Sequence, residues 1–137
     1  MVRQLLSEAE GYELLKAAGI PVPRFVITHS SAEAEKAAGM IGYPVVMKVI
    51  SQQIVHKTDA GGVILNIRSP SEAAAAFEKI SREVKAKVPG AVIDGIIIVQ
   101  QLPLSLEMII GGKTDPAFGK VITIGAGGTL VELLRDV

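Results

Sequence analysis

Lys48 stands near the end of an apolar run, Tyr43-Pro-Val-Val-Met-Lys48, and His56-Lys-Thr-Asp-Ala-Gly-Gly-Val63 follows closely. An ammonium inside so apolar a segment needs a counter-charge, because burying it unpaired is costly. A polyphosphate is one such partner, and the next loop carries what a polyphosphate site uses. Lys57 offers charge, Thr58 a hydroxyl, and Gly61 and Gly62 backbone N–H groups that phosphate oxygens can approach without obstruction. The alternative is local: Lys48 extends along its strand to water, while Asp59 and the glycine pair close an ordinary turn. His56 adds a nucleophile, since an imidazole nitrogen beside a terminal phosphate can accept a phosphoryl group. Taken singly, it is more often a surface or structural residue.

Further along, Gln100-Gln101-Leu102-Pro103 ends the most apolar strand segment. Backbone groups at Gln100, Gln101 and Leu102 can read the donor and acceptor edge of a purine; a proline-terminated strand is the plain alternative. Glu107 lies within Leu104-Ser-Leu-Glu-Met-Ile-Ile110, and Asp115 in a Lys-Thr-Asp-Pro turn. A carboxylate on a strand is usually solvated, but Glu107 can instead pair with Lys48 or orient a ribose or a metal-bound water. Gly125-Ala-Gly-Gly128, with Glu132 and Asp136, reads as a second glycine loop carrying acids. The sequence holds no Walker loop, no G-x-G-x-x-G, no H-E-x-x-H and no G-x-S-x-G. With two histidines and no cysteine, no metal site is assigned to these residues.

The elements that position these groups mark their own boundaries. Ser7-Glu-Ala-Glu10, Ser30-Ser-Ala-Glu33 and Ser69-Pro-Ser-Glu72 each read as a capping box, with Pro70 at a first helical position. The first helix runs to about Ala18 before Gly19, with Leu5, Ala9, Tyr12 and Leu15 on one face. The second carries Ala34, Ala37, Ala38 and Ile41 up to Gly42. The third carries Ala73, Ala76, Phe77, Ile80 and Val84 and ends at Pro89-Gly90. Strands are expected over 24–27, 45–50 and 63–67, and then over 96–99, 106–110 and 121–124 as an antiparallel meander. Alternation along 45–50 puts Val45, Met47 and Val49 on one face and Val46, Lys48 and Ile50 on the other. The order implies an α+β fold in two lobes, with a boundary between Val88 and Asp94. The final apolar segment and an uncovered meander face suggest the front part of something longer.

Composition bounds the function. A chain of 137 residues with hydrophobic content of 49% can bury a real core. Fourteen basic residues balance fourteen acidic ones, which gives no electrostatic footprint for nucleic acid or an anionic membrane. The absence of cysteine excludes a disulfide framework and a thiol nucleophile. The N-terminus lacks a signal-peptide pattern and no apolar stretch is long enough to span a bilayer, so a soluble cytoplasmic protein is expected.

Three segments together, Glu13-Leu-Leu-Lys-Ala-Ala-Gly-Ile-Pro-Val-Pro23, Ile41-Gly-Tyr-Pro-Val-Val-Met-Lys48 and His56-Lys-Thr-Asp-Ala-Gly-Gly-Val63, resemble the ATP-grasp subunit of NDP-forming acyl-CoA synthetases. Leu106-Glu-Met-Ile-Ile-Gly, Asp115-Pro-Ala-Phe-Gly119 and Gly125 to Val137 match the same family in the same order. The resemblance implies a two-lobed ATP-grasp fold, with residues 1–20 as a helix packing on the larger lobe, 21–92 as the small lobe and 93–137 as the first strands of an incomplete large lobe. It implies ATP or ADP with Mg2+, and the reaction of acyl-CoA, ADP and phosphate to acid, CoA and ATP through a phosphohistidine relay. Lys48 matches the lysine on the nucleotide phosphates, and Asp59 to Val63, including Gly61 and Gly62, the glycine-rich lid. His56 matches a second phosphoryl carrier, Gln100, Gln101 and Leu102 the adenine hinge, and Glu107 an acidic strand position near the nucleotide.

The family's metal-binding acid and asparagine fall beyond Val137, so the resemblance implies that this chain alone has little or no turnover. It also implies a CoA-binding α-type subunit or domain as partner, hence a hetero-oligomer that meets acyl-CoA indirectly. Two other readings stay open: an ATP-grasp ligase that activates a carboxylate differently, and a degenerate ATP-grasp module with a regulatory or assembly role.

Overall fold

The computed structural model describes residues 6–103 and 106–128, and the chain divides into two units between Leu102 and Pro103. The expected Leu5 contact and the acids Glu132 and Asp136 lie outside the described residues. The first unit contains α1 (Glu8–Ala17), β1 (Phe25–Thr28), α2 (Ser31–Ile41), β2 (Val45–Ile50), β3 (Val63–Ile67), α3 (Pro70–Lys87) and β4 (Gly95–Gln100).

All three helices begin where their caps require. Ser7, Ser30 and Ser69 each accept the N–H of the residue three positions on, Glu10, Glu33 and Glu72 respectively. At α1 the box is complete, because Glu10 accepts the Ser7 N–H at 2.7 Å. At α2 and α3 the glutamate reaches one residue further back, to the N–H of His29 and of Arg68, each at 2.8 Å. The same side-chain chemistry therefore also fixes the residue entering the cap.

The four strands form one antiparallel sheet in the order β1-β4-β2-β3. β4 pairs with β1 from Phe25↔Val99 to Thr28↔Ile96, and with β2 from Val45↔Gln100 to Ile50↔Gly95. This corrects the expectation that 96–99 opens a meander in a second lobe beginning at residue 93. An all-apolar strand is stable where both faces are covered and both edges are paired, and the centre of this sheet provides that. The chain reaches that order by two interleaved crossovers. β1 and β2, joined through α2, leave between them the position β4 fills; β3 and β4, joined through α3, leave the position β2 fills.

One sheet face carries Val45, Met47, Val49, Ile67, Ile96 and Ile98 against the apolar stripes of α2 and α3, including Ala34, Ala38, Ile80 and Val84. The other face carries Ile97 and Val99, with Phe25 and Ile50, beneath Ala9 and Tyr12 of α1. The Tyr12 and Phe25 rings meet at 5.0 Å between centroids. Within the first unit, α1 covers the four-stranded sheet. The physical reason is the apolar second face of β4 and β1, which needs cover.

The second unit holds β5 (Met108–Asp115) and β6 (Gly119–Ala126), paired antiparallel from Met108↔Ala126 to Asp115↔Gly119. Asp115 Oδ1 closes the turn by accepting the N–H groups of Ala117 and Phe118 at 2.9 and 3.1 Å. Gly119, at φ +75°, takes the left-handed position that a residue with Cβ disfavours. The strand expected over 106–110 begins only at Met108, so Glu107 precedes it rather than lying within it, and both strands run on past their apolar segments because glycine and polar residues continue the ladder.

Ile98 is fully buried between two strand neighbours. Ile98→Ala is expected to lower stability by about 2–5 kcal/mol, and Ile110→Ala, on an exposed hairpin position, by less than about 0.5 kcal/mol. Urea titration of the two variants checks the contrast.

Candidate functional site

Strand β2 delivers Lys48 onto the face covered by α1, opposite Val63 of β3 and Ile97 of β4. Its ammonium neither reaches freely along the strand to water nor stands unpaired. It donates to Glu8 Oε1 at 2.7 Å, and Lys57 lies 3.8 Å from Glu8 Oε2. Tyr12 Oη donates to the same Glu8 Oε1 at 2.7 Å. Glu8 and Tyr12 stand four residues apart and so share a helix face. One carboxylate thus gathers two cations and a phenol at the sheet surface.

The electrostatics follow. Burial alone raises the Glu8 carboxyl, but the hydrogen bonds from Lys48 and Tyr12 and the charges of Lys48 and Lys57 outweigh it, and the group lies below the ordinary 4.5. Burial, then the Glu8 carboxylate, raises the Tyr12 phenol. Two lysines and one glutamate leave this cluster with one net positive charge, which suits an anion.

A cavity of about 560 Å³ adjoins the cluster at the Ile50 end of β2, with Glu8 and Lys57 on its wall, Ile50, Ile54 and Val55 as apolar lining, and Ser51 and Asp94 as polar lining. Its size is that of a small-molecule site.

The loop between β2 and β3 is folded on itself. His56 C=O accepts from Ala60 N–H at 3.2 Å, Thr58 C=O from Gly61 N–H at 3.0 Å, and Lys57 C=O from Gly62 N–H at 2.7 Å. In this conformation both the Gly61 and the Gly62 amide close the turn. The glycines are required for space. A Cβ on Gly62 would collide with Val49, and one on Gly61, at φ +72°, with the Glu83 carboxylate. Asp59 contributes its carbonyl to Lys87 Nζ at 3.3 Å, which ties the loop to α3. His56 and Thr58 are exposed.

Gln100, Gln101 and Leu102 lie together at the far end of β4. Gln100 N–H donates to Arg24 C=O at 2.8 Å, and its side-chain oxygen accepts from Arg24 Nε at 3.3 Å. Gln101 and Asn66 exchange two bonds of 2.7 Å, where Asn66 adopts φ +58° at an irregularity in the β2–β3 ladder. These side chains brace the strand end, and Leu102 is exposed. In the second unit, Glu107 C=O accepts from Gly127 N–H at 2.8 Å, and its carboxylate lies over Gly128, where a Cβ would collide with it. The structure thus brings together Lys48 and Lys57, while Gln100–Leu102 occupy the other end of the sheet. Sequence reasoning missed Glu8 and Tyr12. The available signal was the need of Lys48 for a counter-charge and the i,i+4 spacing of an acid and a phenol beside Ala9. Among the described residues no group of three or more His, Cys, Asp or Glu could hold a metal ion, and no helix is long and apolar enough to cross a membrane.

Comparison with known proteins gives a consistent family. A model of the ATP-grasp domain matches residues 1–137. The chain is 48% identical over 132 residues to the β subunit of acetate–CoA ligase (ADP-forming) I from Pyrococcus furiosus, covering 96% of this chain and 57% of that subunit. It also superposes on the dinucleotide-forming acetyl-coenzyme A synthetase 1 of Ca. Korarchaeum cryptofilum solved with coenzyme A and Ca-AMPCP, at a TM-score of 0.90 and 43% identity, covering 96% of this chain and 57% of that one. A second structure of that enzyme, with coenzyme A, Mg-AMPPCP and a phosphohistidine segment pointing towards the nucleotide site, gives a TM-score of 0.76 at 36% identity, covering 96% and 54%.

Two outcomes test the site's local physics. A carboxylate held low stabilises the fold above its unfolded value of 4.5 and loses that contribution as pH falls through its lower folded value. Acid unfolding of Glu8→Gln should therefore be flatter below pH 4.5 than that of the parent. Gly62→Ala is expected to cost about 1–3 kcal/mol through overpacking against Val49, measured by urea titration.

Proposed function

Because the chain belongs to the ATP-grasp family, we propose that it forms the nucleotide-binding portion of an ADP-forming acyl-CoA synthetase. The observation that carries this reading is the convergence of the Lys48 and Lys57 ammonium groups on a single anionic group at the sheet surface. Two lysines so placed can hold the phosphates of ADP or ATP. Gln100, Gln101 and Leu102 would border the base, and the loop of Asp59, Gly61 and Gly62 would close over the phosphates by trading its internal bonds for phosphate oxygens.

In this reading His56, exposed beside Lys57, takes the phosphoryl group. A P–N bond to a histidine of a CoA-binding partner breaks as a P–N bond to the His56 imidazole forms. That bond breaks in turn as the terminal oxygen of ADP bonds phosphorus, releasing ATP. Lys48 and Lys57 offset the charge on the phosphates throughout. Mg2+ would neutralise phosphate charge when bound, but the described residues provide no cage for it, so no step is assigned to it. The partner would be a CoA-binding α-type subunit or domain, and the setting cytoplasmic. A regulatory module without turnover is the second reading; the internal closure of the Gly61 and Gly62 amides favours it.

Calorimetric titration of Mg-ADP into the intact protein separates the two. Lys48→Met should weaken binding roughly tenfold or more, as loss of a charge-assisted hydrogen bond predicts; unchanged affinity would leave Lys48 a structural residue. His56→Ala should abolish ATP formation from acyl-CoA, ADP and phosphate while Mg-ADP affinity stays near that of the parent. Retained turnover would remove His56 from the relay.

A further inference from the structure

We propose that Glu8 is an internal stand-in for phosphate, so that nucleotide binding exchanges its carboxylate for phosphate oxygens on Lys48 and Lys57 and loosens α1 from the sheet. The inference rests on the nucleotide reading of the Lys48–Lys57 pair and adds to it a contact that opposes binding.

The geometry is that of a competing anion. Glu8 presents one oxygen to each lysine, Oε1 to Lys48 and Oε2 to Lys57, as two oxygens of a phosphate would. Its charge cancels half of the positive charge that the two ammonium groups offer. A phosphate chain carries more negative charge and more acceptor oxygens, and it outcompetes one carboxylate for the same donors. Both partners are partly exposed, with 28% of the Lys48 and 21% of the Glu8 side-chain surface accessible, so the pair opens to an incoming ligand at modest cost.

The helix that carries Glu8 is built to leave. α1 has only ten residues, a length at which an isolated helix is marginal. Ala9 is its one buried residue among those described, and Leu14 and Leu15 remain exposed. Its attachments are Ala9 and Tyr12 on the apolar sheet face, plus the Glu8 cluster. Beyond it, residues 18–24 carry no helix or strand, and Gly19 at φ +76° gives a pivot. The capping box belongs to Ser7 and Glu10, so the Glu8 carboxylate makes no capping hydrogen bond and, beyond its first-turn charge, is committed to the two lysines. Its place in the molecule is explained by the two lysines.

The test compares Mg-ADP binding by the intact protein and its Glu8→Gln variant, with hydrogen exchange followed across residues 9–17. Glutamine keeps the shape and an acceptor oxygen but removes the competing charge. The expected result is tighter Mg-ADP binding by Glu8→Gln, about threefold to tenfold, together with faster exchange in α1 of the parent when Mg-ADP is added. Equal or weaker binding by the variant, with the parent binding normally, would overturn the stand-in role and leave Glu8 as a support for Lys48. Slower exchange in α1 on adding Mg-ADP would likewise overturn it. Failure of both proteins to bind Mg-ADP would overturn the nucleotide reading itself, and the inference with it.

Discussion

A lysine in the middle of a sheet imposes a constraint that much of the first unit answers. Lys48 cannot turn toward α2 and α3 without placing its charge among Val45, Met47, Val49 and Ile98. It must occupy the opposite face, and that face must supply an anion. The anion comes from α1, which is there because Ile97, Val99 and Phe25 also need cover. Hydrophobic and electrostatic requirements thus select the same helix for the same place. Neither would suffice: Ala9 and Tyr12 cover little surface, and a part-exposed ion pair contributes little alone.

The glycine-rich loop between β2 and β3 is held closed by its own backbone and its neighbours. Its amides bond back into the turn, Gly62 lies too close to Val49 for any side chain, and Gly61 lies against Glu83. Lys87 fastens Asp59 from α3. The loop is therefore gripped from the strand on one side and from the helix on the other. Whatever it does on meeting a ligand begins from a defined, hydrogen-bonded conformation.

Local chemistry was the legible part of the sequence. Serine caps placed all three helix starts, and the alternation along β2 placed Lys48 on the face opposite Val45, Met47 and Val49. The ATP-grasp resemblance, carried by the segments around Lys48 and His56, agrees with the family match over residues 1–137. Non-local pairing was not legible. Nothing within Gly-Ile-Ile-Ile-Val-Gln states that it enters between two earlier strands, so local pattern alone places the boundary too early and β4 beside the wrong neighbours. The partnership of Glu8 with Lys48 was hidden for the same reason: it joins residues forty positions apart, and Glu8 already had a sufficient local explanation in the first turn of a helix.

The central position of β4 also governs the order in which the first unit can assemble. β1 has β4 as its only strand neighbour among the described residues, and Phe25 pairs with Val99 near the other end of the unit. During synthesis β2 and β3 can form a hairpin and collect α3 early, whereas β1 must wait, unpaired, until the last strand emerges. The sheet then closes on both sides of β4 in one event. Such late, long-range closure makes folding slow compared with a helical domain of equal length and leaves the edges of β1 and β2 open in the nascent chain. A ribosome-bound chain stopped before Gly95 would therefore hold a hairpin and helices, and no completed sheet.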